Sequence, residues 1–232
     1  MITKKYTVIL ADLDNTILDF TKSEHDAVTR LLSHFGCRAD DDIISAYSAY
    51  NDSLWQALER GELTRKELIN TRFTGFFEKR GIDGDGTEAA VLYERYLSES
   101  AYFTEHAEEF LIRCRGKYRV YIISNGTAAV QLPRIANSGV DKLTDGYFIS
   151  EIVGHNKPDK LFFDYAASHI PGFERKEALV LGDSITADVA GGNAYGIDTC
   201  LYDRYGRYSA DTCIKPDHII KNLADLFEPL DI

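Results

Sequence analysis

Four short groups of polar residues carry the functional groups from which a reaction could be assembled. Asp12-x-Asp14-x-Thr16 offers two carboxylates and a hydroxyl, and Ser124-Asn125-Gly126 a hydroxyl and an amide. Lys157-Pro158 offers a lone ammonium, and Gly182-Asp183 with Asp188 further on supplies two more acids. Carboxylates gathered at neighbouring positions repel one another and require a compensating cation. Hard oxygen donors of this kind suit Mg²⁺, which keeps several of its waters when bound. Taken singly, each group also has an ordinary reading. Asp183 or Ser184 could simply cap a helix, Lys157 could be a solvated lysine before an N1 proline, and Ser124 a turn residue. Their order, spacing and position relative to strands are what point to chemistry.

Those positions follow from the apolar runs that precede them. Tyr6-Thr-Val-Ile-Leu-Ala is too short for a core helix and leads at once into Asp12, which predicts a buried strand ending in a polar loop. Tyr118-Arg-Val-Tyr-Ile-Ile before Ser124, Ala178-Leu-Val-Leu before Gly182, and Asp198-Thr-Cys-Leu-Tyr before Asp203 repeat the pattern. Helical stretches near 127–138, 158–169 and 184–195 alternate with them, predicting an α/β fold with a doubly wound parallel sheet. In such sheets ligands sit beyond the carboxyl ends of the strands, where these polar groups fall.

Residues 20–103 read differently. Apolar residues recur at helical spacing, and Thr21-x-x-Glu24 and Thr64-x-x-Glu67 have the form of capping boxes. The expectation is a helical domain inserted into a core made of 1–19 and 104–232, with crossings near Asp19-Phe20 and Tyr102-Phe103-Thr104. Gly81-Ile-Asp-Gly-Asp-Gly is read as a turn between insertion helices. It lacks the ligand spacing and twelfth-position glutamate of a calcium loop.

Composition narrows the class. In 232 residues, 37 Asp+Glu against 26 Lys+Arg give a formal net charge of −11, which excludes a basic polyanion-binding protein. Nucleic-acid polymers are not expected partners, and a phosphate site must carry its own local cations. The 44% hydrophobic and 27% charged shares exclude disordered and fibrous classes. No window approaches a membrane span, and Met1-Ile-Thr-Lys-Lys runs into a strand-like stretch instead of a signal segment, so no membrane partner and a cytoplasmic location are expected. Cys37, Cys114, Cys200 and Cys213 form no Cys-x-x-Cys pair and are read as buried free thiols. The chain contains no internal repeat, and oligomeric state is not legible.

Together the four groups resemble motifs one to four of the haloacid dehalogenase superfamily, over essentially the whole chain. The resemblance implies a Rossmann-like core with an inserted helical cap and a Mg²⁺-dependent phosphohydrolase acting on small phosphate monoesters. Asp12 is then the nucleophile, already ionised at neutral pH. Asp14 is implied to be the general acid and base, a role that a raised pKa beside acidic neighbours would favour. The superfamily's dehalogenases lack this acid. Ser124, the Asn125 backbone N–H and Lys157 are expected to bind the phosphoryl group. Asp12, the Asp14 carbonyl and Asp183 are expected to ligate the metal, with Asp188 holding a bound water or Lys157 and Thr16 fixing the loop.

In the insertion, Tyr47, Asn51 and Trp55 form a helical stripe able to stack a base and read its edge, or simply to pack. Thr16-Ile-Leu-Asp19-Phe20, Asn51…Leu54-Trp55, Gly61, Arg72-Phe73 and Ser124-Asn-Gly-Thr…Gln131 resemble the noncanonical pyrimidine nucleotidases, which act on nucleoside 5′-monophosphates. Phe20, Asn51, Trp55 and Arg72 are the implied substrate-side residues. Asn15 departs from that pattern, standing where a glutamate or glycine is often found. The rival readings are a sugar-phosphate phosphatase, a phosphomutase, a phosphonate hydrolase using Lys66 or Lys79, and a non-catalytic phosphoacceptor protein.

Overall fold

Short runs of apolar residues covered on both sides build the centre of the protein, described here from a computed structural model over residues 6–232. Met1–Lys5, read above as leading into a strand, lie outside the described residues. Six strands form one sheet: β1 (Val8–Asp12), β2 (Arg119–Ser124), β3 (Gly146–Ile149), β4 (Ala178–Gly182), β5 (Asp198–Tyr202) and β6 (His218–Ile220). Their order is β3-β2-β1-β4-β5-β6, and all neighbouring pairs are parallel. β1 and β4 are buried at every residue, the mark of strands covered on both faces.

Alternate side chains feed two separate cores. Ile9, Ala11, Val120, Ile122, Leu179 and Leu181 pack with Phe110 and Leu111 of α5 (Ala107–Cys114) and Ile135 of α6 (Ala128–Ser138). Val8, Leu10, Ile123 and Val180 pack with Phe162, Phe163 and Ala166 of the helix Lys160–His169. Strands β3 and β6 escape the sequence reading because they are edge strands of four and three residues, each with an exposed apolar residue, Tyr147 and Ile219. An edge strand lacks the continuous apolar run that betrays a central one.

The chain divides into two compact units. The described residues up to Asp19 join Ala101–Ile232 in the α/β unit, and Phe20–Ser100 form the other. In the α/β unit the two crossings run side by side: the Asp19 N–H donates to the Tyr102 carbonyl at 2.7 Å, and Leu18 bridges Phe103. Arg204 ties the same place, donating to the Asp19 carboxylate at 2.9 Å.

The second unit holds four helices, α1 (Phe20–His34), α2 (Asp41–Glu59), α3 (Arg65–Arg80) and α4 (Gly86–Ser98). Thr64 and Glu67 form the expected capping box at the start of α3. Thr21 and Glu24 do not: α1 begins a residue earlier, and the Glu24 carboxylate turns inward to accept from Ser48, Asn51 and Tyr93. Gly81 ends α3 in the left-handed region and Asp85 caps α4, making the intervening glycines and acids a helix connection. The cysteines are all free, but only Cys114 and Cys200 are buried: Cys37 is half-buried in the connection after α1, and Cys213 lies exposed in the segment between β5 and β6.

Candidate active site

The parallel register brings three of the four polar groups to one edge. Asp12 ends β1 opposite Ile123, Ser124 ends β2, and Ala11 is opposite Leu181, so that Gly182-Asp183 leave β4 beside Asp12. Lys157, in the segment before the helix Lys160–His169, reaches the same place from the side. Its ammonium donates to Asp12 Oδ1 at 2.6 Å, Asp188 Oδ1 at 2.7 Å and the Ile123 carbonyl at 3.1 Å. An ammonium has three N–H groups, and all three are used. Burial disfavours the Lys157 charge, but the two carboxylates outweigh it and hold its pKa above the ordinary lysine range.

Asp188 is delivered by a π-helical turn, Ile185–Val189, a geometry that recurs at functional sites. Its Oδ2 accepts the Ser184 N–H at 3.1 Å. Ser184 caps the turn through Ala187, which leaves the Asp183 carboxylate uncommitted to capping. Gly182 is required for this arrangement, because a Cβ there would lie 2.2 Å from Asp188 Oδ2.

Asp12, Asp183 and Asp188 present carboxylate oxygens within 4.8 Å of one another. Three carboxylates against the one Lys157 ammonium leave two negative charges, which matches a divalent cation. Burial pushes Asp12 up to about 7, with Lys157 pulling it back and Asp188 and Asp14 pushing it up again. Crowding by the surrounding protein, reinforced by Asp12 and Asp188, likewise raises Asp183, although its side chain stays open to solvent at the rim. Close packing by the protein is the larger cause of both shifts and the neighbouring carboxylates add to it, a repulsion that a hard divalent ion would relieve. The donor set is all oxygen and fits Mg²⁺.

Asp14 has a different setting from the one its acidic neighbours suggest. Its Oδ1 accepts from the fully buried Arg134 guanidinium, and its Oδ2 from Gln131 Nε2 at 2.5 Å. The loop that swings it over the strand end turns at Asn15, whose φ of 60° lies in the left-handed region. That accounts for Asn15 physically, since asparagine and glycine tolerate this conformation best. Thr16 is fully buried; its carbonyl accepts from Thr104 at 2.6 Å, and its hydroxyl has no partner among the described residues.

The Ser124 hydroxyl accepts the Gly126 N–H at 3.1 Å and Gln131 Nε2 at 2.8 Å. With both lone pairs taken, a hydroxyl has only its proton left to offer, as an acceptor such as a phosphoryl oxygen requires. The Asn125 side chain brackets the backbone of Lys157, accepting its N–H at 2.8 Å and donating to its carbonyl at 2.9 Å. Arg134 has no place in the sequence reading. The available signal was its spacing from Gln131, i and i+3 on the helix that follows Ser124.

The residues assigned to the substrate side all lie in the helical unit. Asn51 and Arg72 are buried within it: Asn51 donates to Glu24 Oε1 at 2.8 Å and accepts from Arg72 Nη1 at 3.1 Å. Tyr47 is buried beside them, stacked on Phe73. Trp55 is half-buried with Arg65 over its ring, and Phe20 is half-buried at the start of α1. The stripe thus separates into a packed polar node around Glu24 and an accessible indole.

Comparison with known proteins identifies a family and three relatives. The model of the haloacid dehalogenase-like hydrolases matches residues 6–196. Pyrimidine 5′-nucleotidase PynA of Streptococcus pneumoniae is 37% identical over 231 residues, covering 97% of this chain and 95% of that protein. Pyrimidine 5′-nucleotidase YjjG of Escherichia coli is 28% identical over 222 residues, covering 96% of each. YfnB of Bacillus subtilis is 33% identical over 229 residues, and its magnesium-bound crystal structure superposes with a TM-score of 0.93, covering 99% of this chain and 100% of that one.

Proposed function

The chain belongs to the haloacid dehalogenase-like hydrolases, and we propose that within this family it is a Mg²⁺-dependent 5′-nucleotidase acting on pyrimidine (deoxy)nucleoside monophosphates. The observation that carries the phosphatase chemistry is the pair Asp12 and Asp14: one carboxylate at the strand end beside Lys157, the other held by Arg134 and Gln131. Likeness to PynA and YjjG supports the nucleotide preference.

In this reading an Asp12 oxygen bonds to phosphorus while the bond from phosphorus to the leaving oxygen breaks, and Asp14 gives that oxygen a proton. A water oxygen then attacks the phosphorus of the aspartyl phosphate, Asp14 takes the water's proton, and inorganic phosphate leaves with the Asp12 carboxylate restored. The Ser124 hydroxyl donates to an equatorial oxygen, and Lys157, its N–H groups already committed, contributes its positive charge beside them. Asp12, the Asp14 carbonyl and Asp183 would hold Mg²⁺, which supplies charge neutralisation to the phosphoryl group, while Asp188 anchors Lys157. The helical unit, 20–103 in the sequence reading, serves in this proposal as a cap that selects substrate, with Phe20, Asn51, Trp55 and Arg72 as the residues the nucleotidase resemblance assigns to that role. The proposed setting is cytoplasmic; among the described residues no helix is long and apolar enough to cross a membrane.

The test is phosphate release from a panel of monophosphates with Mg²⁺. Thymidine and deoxyuridine monophosphates should lead, and Asp12→Asn should be inactive on all. Fastest release from hexose or triose phosphates would replace the nucleotide assignment with a small-metabolite phosphatase, and activity surviving Asp12→Asn would remove the covalent route.

A further inference from the structure

Four side chains from three parts of the α/β unit form a chain of hydrogen bonds whose direction is determined at one end. Arg134 is fully buried, carries only donors, and donates through Nη1 to both Asp14 Oδ1 and Gln131 Oε1, the latter at 2.8 Å. Because a guanidinium cannot accept, the Gln131 amide must turn its oxygen toward Arg134. Its nitrogen is therefore left facing Asp14 Oδ2 at 2.5 Å and Ser124 Oγ at 2.8 Å, one N–H for each. The Gly126 N–H fills the other Ser124 lone pair. Ser124 is thereby left with only its proton to present, and both Asp14 oxygens are held.

We propose that Arg134 and Gln131 are positioning residues that set the rotamer of Asp14, through an amide that is itself anchored on Ser124. The inference rests on the phosphohydrolase reading and deepens it, because the amide links the group that moves the proton to the group that holds the phosphoryl oxygens. Gly126 is the third part of the device. A Cβ on it would lie 2.3 Å from Gln131 Nε2 and 2.6 Å from Gln131 Cδ, and its φ is not in the left-handed region, so only the absence of a side chain makes room for the amide.

Leaving-group dependence separates positioning from general damage. A nucleoside alkoxide needs a proton to depart, whereas p-nitrophenolate does not, so loss of Asp14 placement should slow the first step for one and spare it for the other. The test compares wild type with Gln131→Leu, Arg134→Gln and Gly126→Ala, using the full chain with Mg²⁺. Steady-state turnover of thymidine monophosphate is measured beside the pre-steady-state burst of p-nitrophenolate from p-nitrophenyl phosphate. Expected is a fall of ~10- to 100-fold in nucleotide turnover, with the burst rate constant kept within about three-fold. Gly126→Ala displaces the flexible Gln131 without removing any polar side chain and stands in for Arg134→Gln should that variant fail to fold. Parallel loss on both substrates, or unchanged nucleotide turnover in Gln131→Leu and Gly126→Ala, overturns the proposal while leaving the phosphohydrolase reading intact. A wild-type protein that hydrolyses neither substrate overturns both.

Discussion

The side chain of Asn125 closes two hydrogen bonds on the backbone of Lys157, one in each direction, at 2.8 and 2.9 Å. An amide carries an acceptor oxygen and a donor nitrogen side by side, which lets it accept from the N–H and donate to the carbonyl of the same residue. The loop carrying the Lys157 ammonium, the one found at the carboxylate cluster among the described residues, is thereby pinned to the end of β2.

Asn125→Ala removes both bonds, each contributing ~1 kcal/mol. The expected outcome is a loss of ~2 kcal/mol, seen as a fall of roughly 4–8 °C in Tm. Phosphate release should drop by at least ~10-fold as Lys157 loses its fixed position. Asn125→Asp cannot donate to the carbonyl and should be no better than alanine; recovery of wild-type kinetics in Asp would show that the bracket is not what places Lys157.

Metal binding should be visible without turnover. Mg²⁺ at ~100-fold its Kd stabilises a folded state by about 2.7 kcal/mol, a Tm rise of several degrees. Thermal melts of wild type in Mg²⁺ against EDTA are expected to show this rise, and Asp183→Asn is expected to lose most of it. A rise of equal size in Asp183→Asn would take that residue out of the ligand set.

Gly182→Ala probes the packing behind Asp188. The added methyl would lie 2.2 Å from Asp188 Oδ2 and 2.3 Å from its Cγ, and Asp188 cannot swing aside without breaking from Lys157 and Ser184. Overpacking of this kind costs ~1–3 kcal/mol. Lower Tm together with lost phosphate release is expected; normal activity would mean that Asp188 need not hold Lys157.

Glu24 gives the helical unit a pH dependence with a definite sign. Burial raises its pKa above the ordinary 4.5, reinforced by Asp52 and opposed by hydrogen bonds from Ser48 and Tyr93 and by Arg72. The folded unit therefore holds the proton more tightly than the unfolded chain. The associated stability is complete below 4.5 and is lost as pH rises through the raised native value. Melts of wild type and Glu24→Gln across the acid-to-neutral range should show the variant gaining on wild type as pH rises. A constant or opposite trend would mean that Glu24 titrates alike in both states.

Sequence alone reached the architecture because a strand buried on both faces must be apolar along its length, and the first residue past it must be able to leave the sheet. That rule placed Asp12, Ser124 and Asp183 at the ends of the runs before them, and helical periodicity was the signal that separated residues 20–103 from the rest. Even the Asn15 departure has a local cause, a positive φ, although only coordinates reveal it.

What the tertiary structure decided is which polar group meets which. Asp14 and Arg134 are 120 residues apart, Asp14 and Gln131 117, and Asn125 and Lys157 32, and no local pattern links the members of any pair. Glu24 has the spacing of a helix cap yet spends its carboxylate on Ser48, Asn51 and Tyr93. Apolar burial depends on area and tolerates many arrangements, so it can be read from composition and period. A hydrogen bond fails within a fraction of an ångström, and so its partners are settled only when the chain has packed.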